Sequence, residues 1–256
     1  MTEPYKPSSK QQKTDPSMLI GKGHVALLDW LADTWLPSGA SGESICIIEG
    51  FSGVGKTSVA RALTDRLPAP MKAAPFVIAP GWSEHVNFEF LAKAGVELKS
   101  IGYPQLYTAL TEGDIDLNSW RVLEEVLRSP VLLIVDEFQE MWNPVHGQPS
   151  GAFIDMVTHL TNRSDIVGRL LFLTNQRLPK ANRWTEIDRV VVERLHPMDV
   201  EDGKTHLQTL LTAFGRLDDV PFHRYGDVVQ WLGGNPRAIR LLAISLEFDA
   251  LDDLID

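Results

Sequence analysis

Cysteine is nearly absent from this sequence, and so are long apolar runs. The single cysteine, Cys46, excludes a disulfide within the chain, and its place inside an apolar segment indicates a small buried residue in a reducing, cytoplasmic setting. No apolar stretch approaches the length of a membrane span, and the amino terminus lacks the charged-then-apolar pattern of a signal peptide. We therefore expect a soluble protein with no membrane partner.

Basic residues are in deficit, with 24 Lys and Arg against 34 Asp and Glu and a formal net charge of −10. This balance argues against a broad nucleic-acid surface, although a local basic patch is compatible with it. The seven histidines show no zinc-binding spacing, so we expect no metal other than magnesium. With 256 residues, 44% of them hydrophobic, the chain can bury one large α/β core, alone or with a small helical domain.

The most informative segment is the glycine-rich stretch from Gly50 to Thr57, which has the form G-x-x-x-x-G-K-T. It follows the apolar run 45–48, typical of a buried strand, and precedes a helical pattern of apolar residues. In such a turn, backbone N–H groups meet phosphate oxygens, Lys56 reaches the β- and γ-phosphates, and the Thr57 hydroxyl binds magnesium. An accidental match is the competing interpretation, and the flanking strand and helix argue against it. The predicted contacts with ATP are Gly50, Ser52, Gly53, Val54, Gly55, Lys56, Thr57 and Ser58.

A second motif lies further along the chain, where the apolar run 131–135 ends in Asp136 and Glu137. Such a run predicts a strand buried on both faces, and two carboxylates at its end are costly unless they are used. Asp136 can accept a hydrogen bond from magnesium-bound water, and Glu137 can polarise the water that attacks the γ-phosphate. A solvated acidic turn is the competing interpretation. The order of the two motifs favours an ATPase.

Apolar periodicity divides the rest of the chain into alternating strands and helices, followed by helices alone. The polar segment 1–17 predicts a flexible leader, and Asn118 is a candidate N-cap for a helix from Trp120. The alternation predicts an α/β fold with a parallel sheet and helices on both faces. Further strands are predicted at 76–79, 170–174 and 190–192, and the predicted domains are 18–198, an α/β ATPase domain, and 199–256, a helical domain.

Together these segments resemble the AAA+ superclass of P-loop ATPases and, within it, the STAND-type ATPases with NB-ARC-like nucleotide switches. The resemblance covers residues 19–246 and includes the polar end of the fourth predicted strand. It also rests on the phosphate loop, on the segment Asp136-Glu137-Phe138-Gln139 and on the turn Gly233-Gly234-Asn235-Pro236. It implies a five-stranded parallel sheet of order 5-1-4-3-2, with nucleotide bound between the sheet and a C-terminal helical lid.

The resemblance also implies roles for residues outside the two motifs. Asn175, after Thr174, would be the polar sensor beside the γ-phosphate, with Arg177 as an alternative and a plain strand-ending Asn as the competing interpretation. Pro236 would pack near the adenine, and Arg237 would reach the γ-phosphate. An ordinary turn with Pro at the first helical position is compatible with both roles.

One segment departs from the family pattern, and one residue that the family pattern includes is not assigned. Gly21-Lys22-Gly23-His24 stands where related proteins often carry Gly-Arg-x-Glu, so no adenine contact is assigned there. AAA+ assemblies supply an arginine to the neighbouring subunit's phosphate from around the fifth strand. Arg183, Arg189 and Arg194 lie in that region, an exposed arginine on a solvated face is the competing interpretation for each, and none is assigned the role.

The two motifs predict a magnesium-dependent ATPase, and the resemblance implies a slow molecular switch that acts in signalling or defence. Its ATP state would close the lid and favour self-association or binding of a partner protein. ATP is preferred over other nucleotides by resemblance alone. A DNA-associated AAA+ ATPase, such as a transposition regulator or loader, is the alternative, and a hydrolysis-poor scaffold is a third hypothesis.

Overall fold

The computed structural model of the chain describes residues 21–79, 86–112, 117–143, 148, 149, 151–177, 187 and 189–255. The predicted leader at 1–17 and Arg183 lie outside the described residues. Five parallel strands form the main sheet, and two short antiparallel strands form a separate hairpin that the sequence did not predict. In chain order the strands are β1 (Ile45–Glu49), β2 (Lys72–Val77), β3 (Val131–Asp136), β4 (Trp142–Asn143), β5 (Gln148–Pro149), β6 (Arg169–Thr174) and β7 (Val190–Arg194).

The main sheet has the strand order β2-β3-β6-β1-β7, and every neighbouring pair is parallel. The hairpin strands β4 and β5 lie outside this sheet but are counted in the strand numbering. Without those two, the order from the β7 edge is 5-1-4-3-2, the arrangement that the resemblance implies for the main sheet. Because all five strands are parallel, the segments that follow Glu49, Asp136 and Thr174 emerge at the same edge.

The prediction for the second strand was displaced. It placed the strand at 76–79, whereas β2 begins at Lys72, which pairs with Val131, and ends at Val77. The strand lies at the edge of the sheet, and along it buried residues alternate with more exposed ones. An edge strand with one covered face lacks the continuous apolar run that marks a central strand, so the apolar segment alone misplaced it.

Helices cover both faces of the sheet and then continue without strands at the carboxyl end of the chain. Helix α5 begins at Leu117, so Asn118 lies inside it and the predicted N-cap is wrong. The helices are α1 (Lys22–Trp30), α2 (Lys56–Thr64), α3 (Val86–Ser100), α4 (Gln105–Glu112), α5 (Leu117–Val126), α6 (Gly151–Thr161), α7 (Val200–Phe214), α8 (Tyr225–Trp231), α9 (Pro236–Ser245) and α10 (Leu251–Ile255). The short helix α10 was not predicted.

Three apolar clusters hold these layers together. On one face, α3, α5 and α6 pack against the sheet around an aromatic group that includes Phe90, Phe153 and Phe172. On the other face, α1 and α2 bury Trp35 and Leu63 against β1 and its neighbours. Helices α7 to α10 enclose a core of their own, which is consistent with a separate helical unit.

Two arginines hold the amino end of the sheet. Arg169 is fully buried and donates to the backbone carbonyls of Gly39 and Gly168. Burial lowers the pKa of Arg169, and the positive charge of Arg189 lowers it further. Arg189 donates to the carbonyl of Gly42 at 2.9 Å. These guanidinium groups therefore satisfy backbone acceptors in the turn that leads into β1 and just before β6.

None of the described helices has both the length and the apolar character needed to cross a membrane.

Candidate nucleotide-binding site

A cavity of about 350 Å³ opens at the carboxyl end of the sheet, between the phosphate loop and the C-terminal helices. Most of the residues that the sequence predicted for nucleotide, magnesium and catalysis lie in its wall. The lining comprises Ser52, Gly53, Gly55, Lys56, Thr57, Ser58, Asp136, Glu137, Asn175, His206, Pro236, Arg237 and Arg240.

The phosphate loop connects β1 to α2 and is fixed at its start by the sheet. The Gly50 N–H donates to the Thr174 carbonyl at 3.2 Å, which continues the pairing of β1 with β6. Lys56, at the first position of α2, folds back and donates to the carbonyls of Gly50 at 2.7 Å and Phe51 at 3.1 Å. The lysine therefore closes the loop on itself and lies in the wall of the cavity.

Lys56 is buried, and this position has an electrostatic consequence. Burial lowers the pKa of Lys56, while the negative charges of Asp136 and Glu137 oppose that shift. The buried ammonium group uses two of its three N–H donors on the loop carbonyls, which leaves one donor and the positive charge for a ligand. An anion in the cavity would therefore interact favourably with it.

Two of the predicted nucleotide contacts lie outside the cavity wall. Gly50 uses its N–H and its carbonyl within the loop and sheet. Val54 has a fully buried side chain, and its N–H donates to the Phe51 carbonyl at 3.2 Å. Both residues shape the loop in this structure. The loop residues that line the cavity are therefore the ones placed to contact a ligand directly.

Thr57 and Asp136 meet across the base of the cavity. The Thr57 hydroxyl donates to Asp136 Oδ2 at 2.6 Å, which places two oxygen ligands together beside the phosphate loop. Magnesium prefers oxygen ligands, retains several waters and is commonly bound by one or two protein groups with substrate phosphates. Thr57 and Asp136 fit that pattern and would hold the ion. The described part of the chain holds no group of three or more His, Cys, Asp or Glu residues placed to bind a metal ion.

Glu137 has a left-handed backbone, with φ of 56°, at the turn after β3. A non-glycine residue in this region is uncommon and carries backbone strain that the surrounding contacts must offset. The turn is held by Phe138, which is fully buried with its ring centroid 4.3 Å from that of Phe172. The strained turn directs the Glu137 side chain into the cavity wall.

Two amide side chains fix the carboxylate of Glu137. Gln139 Nε2 donates to Glu137 Oε2, and Asn175 Nδ2 donates to the same oxygen at 3.3 Å. Gln139 Oε1 in turn accepts from the Asn175 backbone N–H at 3.1 Å. Gln139 is buried and was quoted in the sequence only as part of the resemblance. It joins the end of β3 to the end of β6, a contact that no local pattern indicates.

The C-terminal helices form the opposite wall. Pro236 and Arg237 lie there, and so do Arg240, one helical turn further along α9, and His206 of α7, neither of which was predicted. Within the described residues, the side chains of Arg237 and Arg240 make no hydrogen bond or ion pair. Burial lowers the pKa of His206. The spacing of Arg237 and Arg240 was the available signal, since residues three apart share a helix face.

The remaining arginines are distributed differently. Arg189 lies at the amino end of β7, opposite the cavity, where it binds backbone carbonyls. Arg194 lies at the carboxyl end and pairs with the buried Glu49 at 3.1 Å. Together with Arg177 it lines a small recess behind the phosphate loop. Neither Arg177 nor Arg194 lines the main cavity.

Comparison with known proteins agrees with this arrangement. The family described as AAA domain matches residues 39–181, which include both motifs and β6. A search of curated proteins gave no match. The Walker-type ATPase PABY2304 of Pyrococcus abyssi has a TM-score of 0.61 at 14% identity, over 86% of this chain and 67% of that chain.

Two further solved structures share the fold. ORC2 of Aeropyrum pernix, in ADPNP and ADP complexes, has a TM-score of 0.56 at 18% identity, over 90% of this chain and 66% of that chain. Domain III of the replication initiation protein DnaA from Thermotoga maritima has a TM-score of 0.54 at 15% identity. The match covers 95% of this chain and 89% of that chain. At these identities the likeness establishes the fold alone.

Proposed function

This chain belongs to the AAA domain family, and we propose that it is an ATP-binding and slowly ATP-hydrolysing switch of the STAND type. One observation carries the proposal. A single cavity joins the phosphate-loop lysine, the Thr57 and Asp136 pair and a fixed carboxylate at Glu137. This combination supplies a phosphate site, a magnesium site and a group that can act on water.

For binding, the loop N–H groups and Lys56 would contact the phosphates, and magnesium held by Thr57 and Asp136 would offset their charge. Arg237 and Arg240 would add positive charge from the C-terminal helices. Their guanidinium groups make no ion pair within the described residues, so a triphosphate would not compete with a protein carboxylate for them. Pro236 would pack near the base.

For hydrolysis, Glu137 would accept a proton from water as the water oxygen bonds to the γ-phosphorus. The bond between that phosphorus and the bridging oxygen breaks, and ADP leaves with the electron pair. Gln139 and Asn175 both donate to Oε2, which leaves Oε1 to orient the water. Asn175 would thus act as the polar sensor by fixing the carboxylate beside the γ-phosphate.

For switching, we propose that residues 18–198 form the ATPase domain and 199–256 form the lid. Helix α9 contacts the phosphate loop directly, because the Arg237 N–H lies 3.3 Å from the Gly53 carbonyl. A γ-phosphate that contacts both Arg237 and the loop would favour the closed arrangement over an open one. The closed state would then present a surface for self-association or for a partner protein.

The experiment is the solution mass of the Glu137→Gln variant with ATP, with ADP and without nucleotide. The substitution is expected to slow hydrolysis while leaving binding nearly intact, so an oligomer should form with ATP only. A monomer under all three conditions would contradict switching by self-association. Tightly bound ADP that does not exchange, with no rate loss in the variant, would instead indicate a hydrolysis-poor scaffold.

A DNA-associated ATPase is the second candidate, and it is suggested by the fold that this chain shares with DnaA. The T. maritima DnaA domain III matches over 95% of this chain, and a DnaA structure bound to AMPPCP and single-stranded DNA has a TM-score of 0.52. The net charge of −10 opposes a broad nucleic-acid surface. Duplex DNA added to the Glu137→Gln mass measurement separates the two. ATP-dependent binding that weakens steeply with salt would support the DNA-associated function.

A further inference from the structure

Three successive carbonyls on the outer side of the phosphate loop are held by groups from outside the two motifs. The carbonyls of Ser52 and Gly53 accept hydrogen bonds from the start of α9, and the Val54 carbonyl accepts one from α1. The loop therefore touches protein along its outer side as well as facing the cavity on its inner side.

On the α9 side, Asn235 makes two kinds of contact. Its Nδ2 donates to the Ser52 carbonyl at 2.9 Å. Its Oδ1 caps the helix by accepting from the N–H groups of Arg237 at 3.0 Å and Ala238 at 3.3 Å. The same side chain thus starts the helix and ties it to the loop, and these two roles reside on different atoms.

On the α1 side, His24 is buried, with its Nε2 at 2.7 Å from the Val54 carbonyl. A carbonyl only accepts, so Nε2 must carry the hydrogen. His24 stands in the segment that departs from the family's Gly-Arg-x-Glu pattern. The contact is specific to the residue that this chain carries there.

Glycines allow both neighbours to approach closely. At Gly53, with φ of 79°, an added Cβ would lie 2.8 Å from Asn235 Oδ1 and 2.8 Å from Arg237 Cβ. At Gly55, with φ of 107°, it would lie 2.9 Å from His24 Nε2. A side chain at either position would collide with these outer neighbours. The outer contacts therefore require glycine there, independently of any approach by phosphates.

The peptide groups connect the outer contacts to the cavity. A trans peptide is planar, so its N–H points opposite to its C=O. The Ser52 carbonyl shares a peptide with the Gly53 N–H, and the Val54 carbonyl shares one with the Gly55 N–H. Both glycines line the cavity, and neither N–H has a backbone acceptor within the described residues. Holding the carbonyls outward turns these N–H groups away from His24 and Asn235.

We propose that His24 and Asn235, the loop clamp, are positioning residues that orient the phosphate loop for nucleotide. This inference rests on the proposed function and deepens it. The clamp fixes two peptide groups before the ligand arrives, which reduces the ordering that binding must cause. The effect is also reciprocal, because phosphates that hold the N–H groups inward strengthen the contact between the Ser52 carbonyl and Asn235. Occupancy of the loop is thereby transmitted to α9.

The test at Asn235 uses a variant that keeps one role and loses the other. Asn235→Ser retains an N-cap side chain but is too short to reach the Ser52 carbonyl. Calorimetric titration with magnesium and either ATP or ADP should show affinity reduced about three- to tenfold for both, the effect of one lost hydrogen bond. The matched control is Asp199→Ser, which changes the N-cap of α7 at a position with no loop contact and should leave both affinities unchanged.

The test at His24 compares a variant that removes the hydrogen-bond donor with one that restores it. His24→Leu removes the donor and should weaken both nucleotides by a similar factor of about three to ten. In His24→Gln the amide nitrogen can occupy the position of Nε2 and donate to the Val54 carbonyl, so affinity should recover. A role limited to packing would favour leucine over glutamine, and recovery with glutamine therefore distinguishes the clamp from simple core filling.

The outcomes separate the clamp from the function on which it rests. If the unmodified chain binds neither ATP nor ADP, the proposed function is overturned. If it binds them and the folded variants Asn235→Ser and His24→Leu bind equally well, the function stands and the clamp is overturned. Because the two variants lie on different helices, failure of one to fold leaves the other decisive.

Discussion

The two ends of the main sheet differ in how far their cationic side chains are engaged by the protein itself. At the amino end, Arg169 and Arg189 donate to backbone carbonyls in the turn before β1 and in neighbouring segments. At the carboxyl end, Lys56 closes the phosphate loop, and Arg237 and Arg240 stand around a cavity without an ion-pair partner in the described chain.

The difference separates stability from binding. Each guanidinium at the amino end replaces water at buried or partly buried carbonyls, so its loss leaves acceptors unsatisfied in the folded protein. The cations around the cavity contribute less to the fold, and burial of Lys56 opposes its charged form. We therefore expect substitutions at the amino end to change unfolding, and substitutions at the carboxyl end to change affinity or rate.

The largest effect is expected for Lys56→Ala. The variant should bind ATP roughly a hundredfold more weakly, because a charge that contacts the phosphates in a partly desolvated site is lost. Its free energy of unfolding should fall by less than that of Arg169→Met, because removal of a charge that burial disfavours partly offsets the loss of two hydrogen bonds to loop carbonyls. Calorimetry with magnesium and ATP, together with urea unfolding, measures both. Unchanged affinity would contradict the assignment of the nucleotide site itself.

Arg169→Met should show the opposite pattern. Loss of the buried guanidinium should lower the free energy of unfolding by about 2 kcal/mol, because the carbonyls of Gly39 and Gly168 lose their donors. ATP affinity should not change. Arg66→Met is the matched control, since its contacts with Asp29 and Asp33 are exposed and should contribute little. A large loss of ATP affinity in Arg169→Met, with an unchanged free energy of unfolding, would contradict the distinction between the two ends of the sheet.

Gln139→Leu should lower the rate of hydrolysis without lowering ATP affinity. It removes a donor to Glu137 and an acceptor for the Asn175 N–H while keeping a buried side chain of similar size. We expect kcat to fall roughly tenfold with ATP affinity unchanged, because the carboxylate loses its fixed orientation. Gln176→Leu, at an exposed neighbouring position, is the control. A parallel loss of affinity would indicate a general disturbance of the site.

The smallest effect is a pH dependence from Lys56. Burial lowers its pKa from the ordinary value of 10.5, so the unfolded chain holds this proton more tightly than the folded chain. Unfolding thus takes up a proton, and the free energy of unfolding should rise with pH from the lowered pKa up to 10.5. Urea unfolding of the wild type and Lys56→Met as pH rises towards 10.5 measures this, and the variant should lack that contribution. Equal slopes would contradict the burial effect.

Much of the sheet could be predicted from the sequence because its central strands are buried on both faces. Strands β1, β3 and β6 are continuous apolar runs, and each was placed to within one residue at its ends. The edge strand β2 was displaced, since only one of its faces is buried. The two-residue strands β4 and β5 and the short helix α10 carry too few residues for a periodic pattern.

The candidate site was predictable to the extent that its residues are close in sequence. The phosphate loop and the Asp136-Glu137 pair each occupy one short segment whose chemistry demands that spacing. Gln139, His24 and Asn235 act through partners on other elements, and their distances follow from the strand order and the packing of α1 and α9. Neither composition nor periodicity indicates such contacts.

The most direct test of the central claim is phosphate release from ATP in the presence of magnesium, compared between the wild type and Glu137→Gln. We predict slow release by the wild type and a loss of roughly a hundredfold in the variant, which retains ATP binding. Equal release by both proteins would contradict the assignment of Glu137. An absence of release in the wild type, even as an oligomer with ATP bound, would contradict the proposal that this cavity hydrolyses ATP.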